Sequence, residues 1–220
     1  TQCFRGNKFN FINNTTITKG VISGYTWNFG DNTINHDTNT RHTYTMPDTY
    51  KVKLTAVSNF GCEDSQSVNV SVYPQPIASF TINQDNQCFR GNYFEFTDGS
   101  TVINSKITGY IWDFGDLVKN YDTNTTHVYT TENSFNVIRI VVTSDGCFDS
   151  TTKTVVVYPQ SKSAFSVNDT NQCLNGNSFI ITNNSTIKSG TMVYSWKLGD
   201  GDTSSSTSIA HSYATIGSYQ

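Results

Sequence analysis

The chain writes nearly the same seven letters three times: "YTWNFGD" at 25–31, "YIWDFGD" at 110–116 and "YSWKLGD" at 194–200. Upstream of each stands a second recurring element, "QCFRGNKF", "QCFRGNYF" and "QCLNGNSF", whose cysteines fall at 3, 88 and 173, a period of 85 residues. Downstream come "RHTY" at 41–44, "THVY" at 126–129 and "AHSY" at 210–213. Self-similarity at a fixed period means several copies of one small unit, and no single large core is compatible with it. The first two copies continue into "GCEDS" and "GCFDS" and a Val-rich run ending in "VYPQ" at 72–75 and 157–160. We therefore expect three domains: 1–73, lacking its first strand; 76–158, complete; and 161–220, truncated at its C-terminal side. The chain reads as a window cut from a longer array.

Within each copy apolar residues alternate with polar ones. In the middle copy the alternation runs through Ala78/Phe80/Ile82, Phe94/Phe96, Tyr110/Trp112/Phe114, Phe135/Val137 and Val155/Val157, separated by turn formers at 98–100, 115–116, 131–133 and 145–146. Period two marks half-buried strands, and no 3.6-residue stripe is sustained anywhere, so an all-β fold is expected. About seven strands in 85 residues, with a Trp early in the third, predict a two-sheet antiparallel, immunoglobulin-like sandwich.

Composition removes whole classes of function. Fourteen basic against seventeen acidic residues leave a net charge of −3, which offers no basic field for nucleic acid or an anionic bilayer. Aromatic content of 13% argues for a packed core, not disorder. Apolar runs such as Val-Val-Val-Tyr at 155–158 are far short of the ~20 residues that cross a membrane as a helix, so neither a membrane span nor a signal peptide is expected.

The ordered elements W-x-F-G-D, H-x-Y and then [D/N]-x-[Y/F]-x-V-x-[L/I] resemble the PKD (polycystic kidney disease) domain family over essentially the whole chain. Leu198 stands where the family has Phe, and Asn32 and Leu117 replace the Gly that Gly201 retains. With its cysteines, the array is similar to those of large Bacteroidetes surface proteins, including gliding-motility adhesins exported by the type 9 secretion system. What that resemblance implies is an extracellular, cell-surface, non-catalytic stalk or filament whose partners are neighbouring repeats, surface glycans or other filament chains. A glycan- or protein-binding accessory module of a secreted degradative enzyme is the alternative, with Tyr73, Tyr121 and Phe60 as the aromatics to inspect.

The residues that suggest chemistry read first as structure. Trp27, Trp112 and Trp196 lie mid-strand, where such sandwiches bury a Trp. Asp31, Asp116 and Asp200 follow Gly at a strand end, placed to accept backbone N–H groups across a turn. His42, His127 and His211 alternate with Tyr44, Tyr129 and Tyr213, and no second ligand stands at zinc spacing. Each is written three times, as building one fold three times requires, so neither a catalytic nor a cofactor site is expected. Among metals, calcium suits the oxygen-rich loops 83–87, 30–40 and 168–172 best, although none matches a defined motif.

Five cysteines suit an oxidising exterior, and the odd number requires at least one to pair elsewhere or stay free. Pairing within repeats would give Cys3–Cys62 and Cys88–Cys147. In an immunoglobulin-like strand order, however, Cys88 precedes the second strand and Cys147 follows the sixth, at opposite poles about 20 Å apart, beyond the ~7 Å that a disulfide allows between Cα atoms. A bridge between repeats, Cys3–Cys147, is favoured, with Cys62, Cys88 and Cys173 left for repeats outside the window; within-repeat pairing and free thiols remain the alternatives.

Overall fold

The computed structural model describes residues 1–220. The first repeat contains β1 (Gln2–Cys3), β2 (Phe9–Phe11), β3 (Ile22–Asn28), β4 (Ile34–Asn35), β5 (Thr40–His42), β6 (Asp48–Ser58) and β7 (Glu63–Tyr73). The middle one contains β8 (Phe80–Ile82), β9 (Asn86–Cys88), β10 (Phe94–Asp98), β11 (Ile107–Asp113), β12 (Lys119–Asn120), β13 (Thr125–His127), β14 (Ser134–Thr143) and β15 (Phe148–Tyr158). The third contains β16 (Phe165–Val167), β17 (Phe179–Asn183), β18 (Trp196–Lys197), β19 (Thr203–Ser204) and β20 (Ile209–His211). There is no helix.

The middle repeat shows the whole design, a three-stranded sheet β13-β10-β8 and a five-stranded sheet β12-β11-β14-β15-β9. The first repeat repeats it as β2-β5 and β1-β7-β6-β3-β4. Alternation decides which side chains enter the core: in β10, Phe94 and Phe96 are buried while Glu95 is exposed, because successive side chains leave a strand on opposite faces. Phe80, Phe114, Trp112, Val137, Val141 and Val155 complete that core, all essentially inaccessible to solvent. Each such side chain contributes about 1.5–3 kcal/mol by leaving water. Two features differ from the sequence reading. The hairpin strands are long, with β6, β7 and β15 at 11 residues each, and the cysteine motifs of the first two repeats each form a short strand of their own, β1 and β9.

Packing divides the chain into two compact units. One comprises residues 1–83, 94–127 and 135–155; the other comprises 84–93, 128–134 and 156–220. In the second unit, repeat three forms only the sheets β16-β17-β20 and β18-β19. Residues 161–220 contain no counterpart of the β14–β15 hairpin, so Phe165 is 62% exposed where its counterpart Phe80 is 1% exposed. The face left uncovered is a cleft of about 1240 Å³ lined by Phe165, Ile181, Trp196, Leu198 and Tyr213 among others.

One core position in the first unit is charged. Arg139 is fully buried, its guanidinium stacked on Trp112 (4.1 Å) and Tyr110 (4.6 Å), with Nε donating to Asp98 (3.1 Å) and the Nη atoms to the carbonyls of Asp122 and Thr123. Leu54 occupies the same place in the first repeat, since Trp27 pairs with Leu54 as Trp112 pairs with Arg139.

Candidate functional site

The recurring tryptophans lie on β3, β11 and β18. Their indole N–H groups donate to the carbonyls of Asp37 (3.1 Å), Asp122 (3.0 Å) and Ser206 (2.8 Å), so each Trp ties its strand to the loop beyond the following strand. Gly30, Gly115 and Gly199 follow at φ near +80°, where a Cβ would sit 2.9, 2.8 and 2.9 Å from the carbonyl oxygens of Lys51, Asn136 and Gln220. No other residue type fits that turn.

The aspartate after each of these glycines uses both its oxygens. One accepts the backbone N–H of Thr33 (3.1 Å), Val118 (3.1 Å) or Asp202 (3.0 Å). The other accepts from histidine Nε2: Asp31–His42 at 2.6 Å, Asp116–His127 at 2.7 Å and Asp200–His211 at 2.7 Å. The His42 ring lies parallel to Phe29 at 4.0 Å and meets the edge of Tyr44 at 4.6 Å, and the Tyr44 hydroxyl closes the circuit by donating to the Phe29 carbonyl at 3.0 Å. His127 stacks on Phe114 in the same way. Burial works to raise the pKa of Asp31, but the hydrogen bonds from Thr33 and His42 outweigh it and hold the carboxyl below its ordinary value. For Asp200 the His211 bond leads in the same direction. Burial pushes the Tyr44 phenol well above its ordinary range. In the first repeat both Asp31 oxygens, His42 Nε2 and the Tyr44 hydroxyl are thus spent tying neighbouring segments together.

A second recurring device was not singled out from the sequence. Asn7 is buried, its amide donating to the carbonyls of Phe4 (2.9 Å) and Tyr44 (2.9 Å) and accepting from the Tyr44 N–H (2.8 Å). Asn92 and Asn177 make the corresponding bonds to Phe89 and Tyr129, and to Leu174 and Tyr213. The amide pins the cysteine loop to the H-x-Y segment. Its signal was the Gly-Asn pair printed at 6–7, 91–92 and 176–177.

The joint between the first two repeats is covalent. Cys3 and Cys147 are bonded (S–S 2.07 Å), although 144 residues separate them. β1 pairs in parallel with the end of β7, Cys3 opposite Tyr73, which sets Cys3 beside the linker; Cys147 lies in the β14–β15 turn and is fully buried. Around the bond, Arg5 pairs with Asp149 at 2.8 Å, the other Asp149 oxygen accepts the Ala78 N–H at 2.9 Å, and the Gln75 amide donates to the Phe148 carbonyl. Burial works to raise the pKa of Asp149, yet the bonds from Ala78 and Arg5 bring it below the ordinary value. Cys62, Cys88 and Cys173 are exposed thiols.

Of the aromatics considered for binding, Phe60 (74%) and Tyr121 (67%) are exposed, while Tyr73 is half-buried at the joint. The suggested calcium loops contribute no residue to a convergence of three Asp, Glu, His or Cys side chains. Such a convergence occurs at Asp200, Asp202 and His211, whose ligand atoms lie within 4.8 Å of one another. It is a poor calcium cage, because one of the three ligands is a nitrogen already bonded to Asp200.

The sequence pattern of the family described as "PKD domain" matches residues 2–72 and 73–158. Among characterised proteins, the chain is 28% identical over 117 residues to collagenase ColA of Bacillus cereus, covering 44% of this chain and 12% of that protein. It is 29% identical over 122 residues to the microbial collagenase of Vibrio alginolyticus, covering 55% and 14%. The chain thus spans about one-eighth of the length of these relatives. Among solved structures, similarity extends to the first PKD domain of Vibrio cholerae metalloprotease PrtV (25% identity, 38% of this chain and 96% of that one, TM-score 0.34). The corresponding domain of Vibrio anguillarum Epp gives 24% identity, 38% and 93% coverage and the same TM-score, 0.34.

Proposed function

Because this chain belongs to the PKD domain family, in tandem copies, we propose that it is a non-catalytic structural segment of an extracellular bacterial adhesin or surface filament, an extended, disulfide-stabilised stalk serving adhesion or gliding. The observation that carries the reading is the Cys3–Cys147 bond. It links the start of one repeat to the hairpin of the next, backed by the Arg5–Asp149 pair and a linker containing Pro74 and Pro76. Such a bond lowers the entropy of the unfolded chain and leaves the joint few ways to bend. It also suits an oxidising exterior, whereas the machinery that anchors or moves the filament, and a type 9 export route, belong to other parts of the system.

Single-molecule extension of the 220-residue chain tests it. The oxidised protein should unfold with about 140 residues of contour locked behind the disulfide, and Cys3→Ser/Cys147→Ser should release that length and lower stability by up to about 5 kcal/mol in the chain-entropy treatment. Equal contour lengths in both forms would refute a staple. Negative-stain images of the native assembly should show filaments.

The collagenase relatives favour a second reading, an accessory module that holds a degradative enzyme on its substrate. Saturable binding of the chain to collagen or to one sugar class on a glycan array would establish that reading in place of the stalk.

A further inference from the structure

In an antiparallel sandwich the inner face of each sheet meets the core and the outer face meets water, so outward positions are ordinarily polar. The first repeat follows this rule. On the outward side of its five-stranded sheet Thr26 pairs with Thr55, Asn28 with Lys53 and Val57 with Glu63, and His36 Nδ1 lies 3.2 Å from Thr26 Oγ1 at the margin. The middle repeat replaces that set. Ile111 pairs with Ile140, Ile138 and Val142 flank Ile140 on the same face of β14, and Phe148 and Tyr121 stand in place of Glu63 and His36. The residues between them, Trp112, Val137, Arg139 and Val141, are the ones that enter the core. The four aliphatic residues are half-buried, and Tyr121 (67%) and Phe148 (63%) are exposed at the two margins. Because the first repeat builds the same sheet with Thr26, Lys53 and Thr55, the fold does not require apolar side chains here.

Charge, chemistry and size point to the same occupant. Asp113 and Lys119 neutralise each other across β11 and β12 at 3.3 Å, and the outward residues Ser134, Asn136, Ser150, Thr152 and Thr154 are uncharged. Two copies of this face can therefore meet without like charges opposing, whereas Lys51 and Lys53 would repel across the first repeat's face. The centre is aliphatic and offers a sugar or a peptide backbone no polar anchor; a second apolar sheet is what packs on such a surface, about 10 Å away. Four strands spaced about 4.8 Å apart, at about 3.3 Å per residue along the 10-residue β14, cover about 600 Å². Two copies would bury about 1,200 Å² together, the lower limit of a specific interface.

We propose that the outer face of β12, β11, β14 and β15 is a self-association surface, on which the middle repeats of two copies of this chain pack face to face about a two-fold axis. The contact is isologous, the same patch on both copies, so it closes at a dimer. It uses the flank of the sheet and leaves the Cys3–Cys147 bond between repeats intact. In a stalk it would hold two filaments side by side, but it does not depend on the stalk reading.

Sedimentation equilibrium tests it on the full oxidised chain, with Cys62→Ser, Cys88→Ser and Cys173→Ser removing the exposed thiols. A monomer–dimer equilibrium is expected, with a Kd of about 1–100 μM for an interface of this size. Ile111→Thr/Ile138→Lys/Ile140→Thr installs the first repeat's own residues and should weaken the dimer at least about thirtyfold. Leu117→Asn removes a 99% exposed leucine at the hairpin tip, off this face, and should leave the dimer unchanged. Without any substitution on the face, hydroxyl-radical labelling of Tyr121 and Phe148 should fall as the dimer forms. A monomer at concentrations tenfold above that range, unchanged labelling, or a dimer that survives the triple substitution, as association through the open cleft of the third repeat would, each overturns the proposal. A monomer that binds a collagen peptide or a sugar through these residues overturns it too and gives the face to that ligand. The contour-length test of the disulfide is independent of these outcomes, so either reading can fail alone.

Discussion

Replacing Arg139 by leucine gives the middle repeat the residue that the first repeat uses at the same place. The two repeats, however, differ at a second position that touches it. Asp98 accepts from Arg139 Nε, and its side chain is only 9% exposed; its counterpart in the first repeat is Asn13, whose N–H bonds Asn39 as that of Asp98 bonds Asn124. Arg139→Leu therefore strands a nearly buried carboxylate with the Ser100 hydroxyl as its remaining side-chain donor, at 2.7 Å. Breaking a buried pair on one side costs about 3–5 kcal/mol. Asp98→Asn alone leaves the guanidinium its two carbonyls and the Trp112 face, and costs less, about 2–3 kcal/mol. In the double variant neither charge is orphaned, the Asp122 carbonyl keeps the Trp112 indole N–H, and the loss should stay at about 2–3 kcal/mol, a coupling of at least about 2 kcal/mol. Urea unfolding followed by tryptophan emission measures this directly, because the guanidinium stacks on Trp112. Additive single costs, or an Arg139→Leu variant within about 1 kcal/mol of the parent, would refute the assignment of Arg139 as a paired core charge.

Two further outcomes follow from the recurring turn and its carboxylates. Leu117 holds φ +75° with its side chain 99% exposed, so Leu117→Gly relieves a left-handed strain of about 1–2 kcal/mol against a smaller backbone-entropy cost and should raise the melting temperature by a few degrees; an unchanged or lower value would contradict it. Asp31, Asp149 and Asp200 have folded pKa values below their unfolded ones, so the stability they supply is fully present above about pH 4 and is lost as pH falls through the folded values. Melting temperatures between pH 7 and pH 2.5 should drop below pH 4, less steeply in Asp31→Asn, and a parallel drop in the variant would rule out Asp31 as a contributor.

Much of the fold was legible because period-two alternation and an 85-residue repeat are local and additive signals. Phe94 and Phe96 enter the core, Glu95 does not, and Trp27 and Trp112 are buried mid-strand, as alternation alone requires. The asparagines were hidden because a buried amide and a loop amide are the same letter; their role depends on bonds to Tyr44 or Tyr129, 37 residues away. Arg139 was hidden for a related reason, since a charge within a strand reads as an outward-facing residue until a carboxylate, two carbonyls and two aromatic rings converge on it.

Repetition, alternation and turn chemistry dictated from the amino-acid order alone that this is a tandem all-β protein with Trp-centred cores, because those preferences act between residues close along the chain. Which cysteine meets which, which amides go inside and which thiols stay in solvent were settled only when strands far apart in sequence came together. A parallel pairing of two residues with the end of a strand some 70 residues later, Cys3 beside Tyr73, brings Cys3 to the pole where Cys147 waits. No local preference encodes that meeting; the geometry of the closed sheet does.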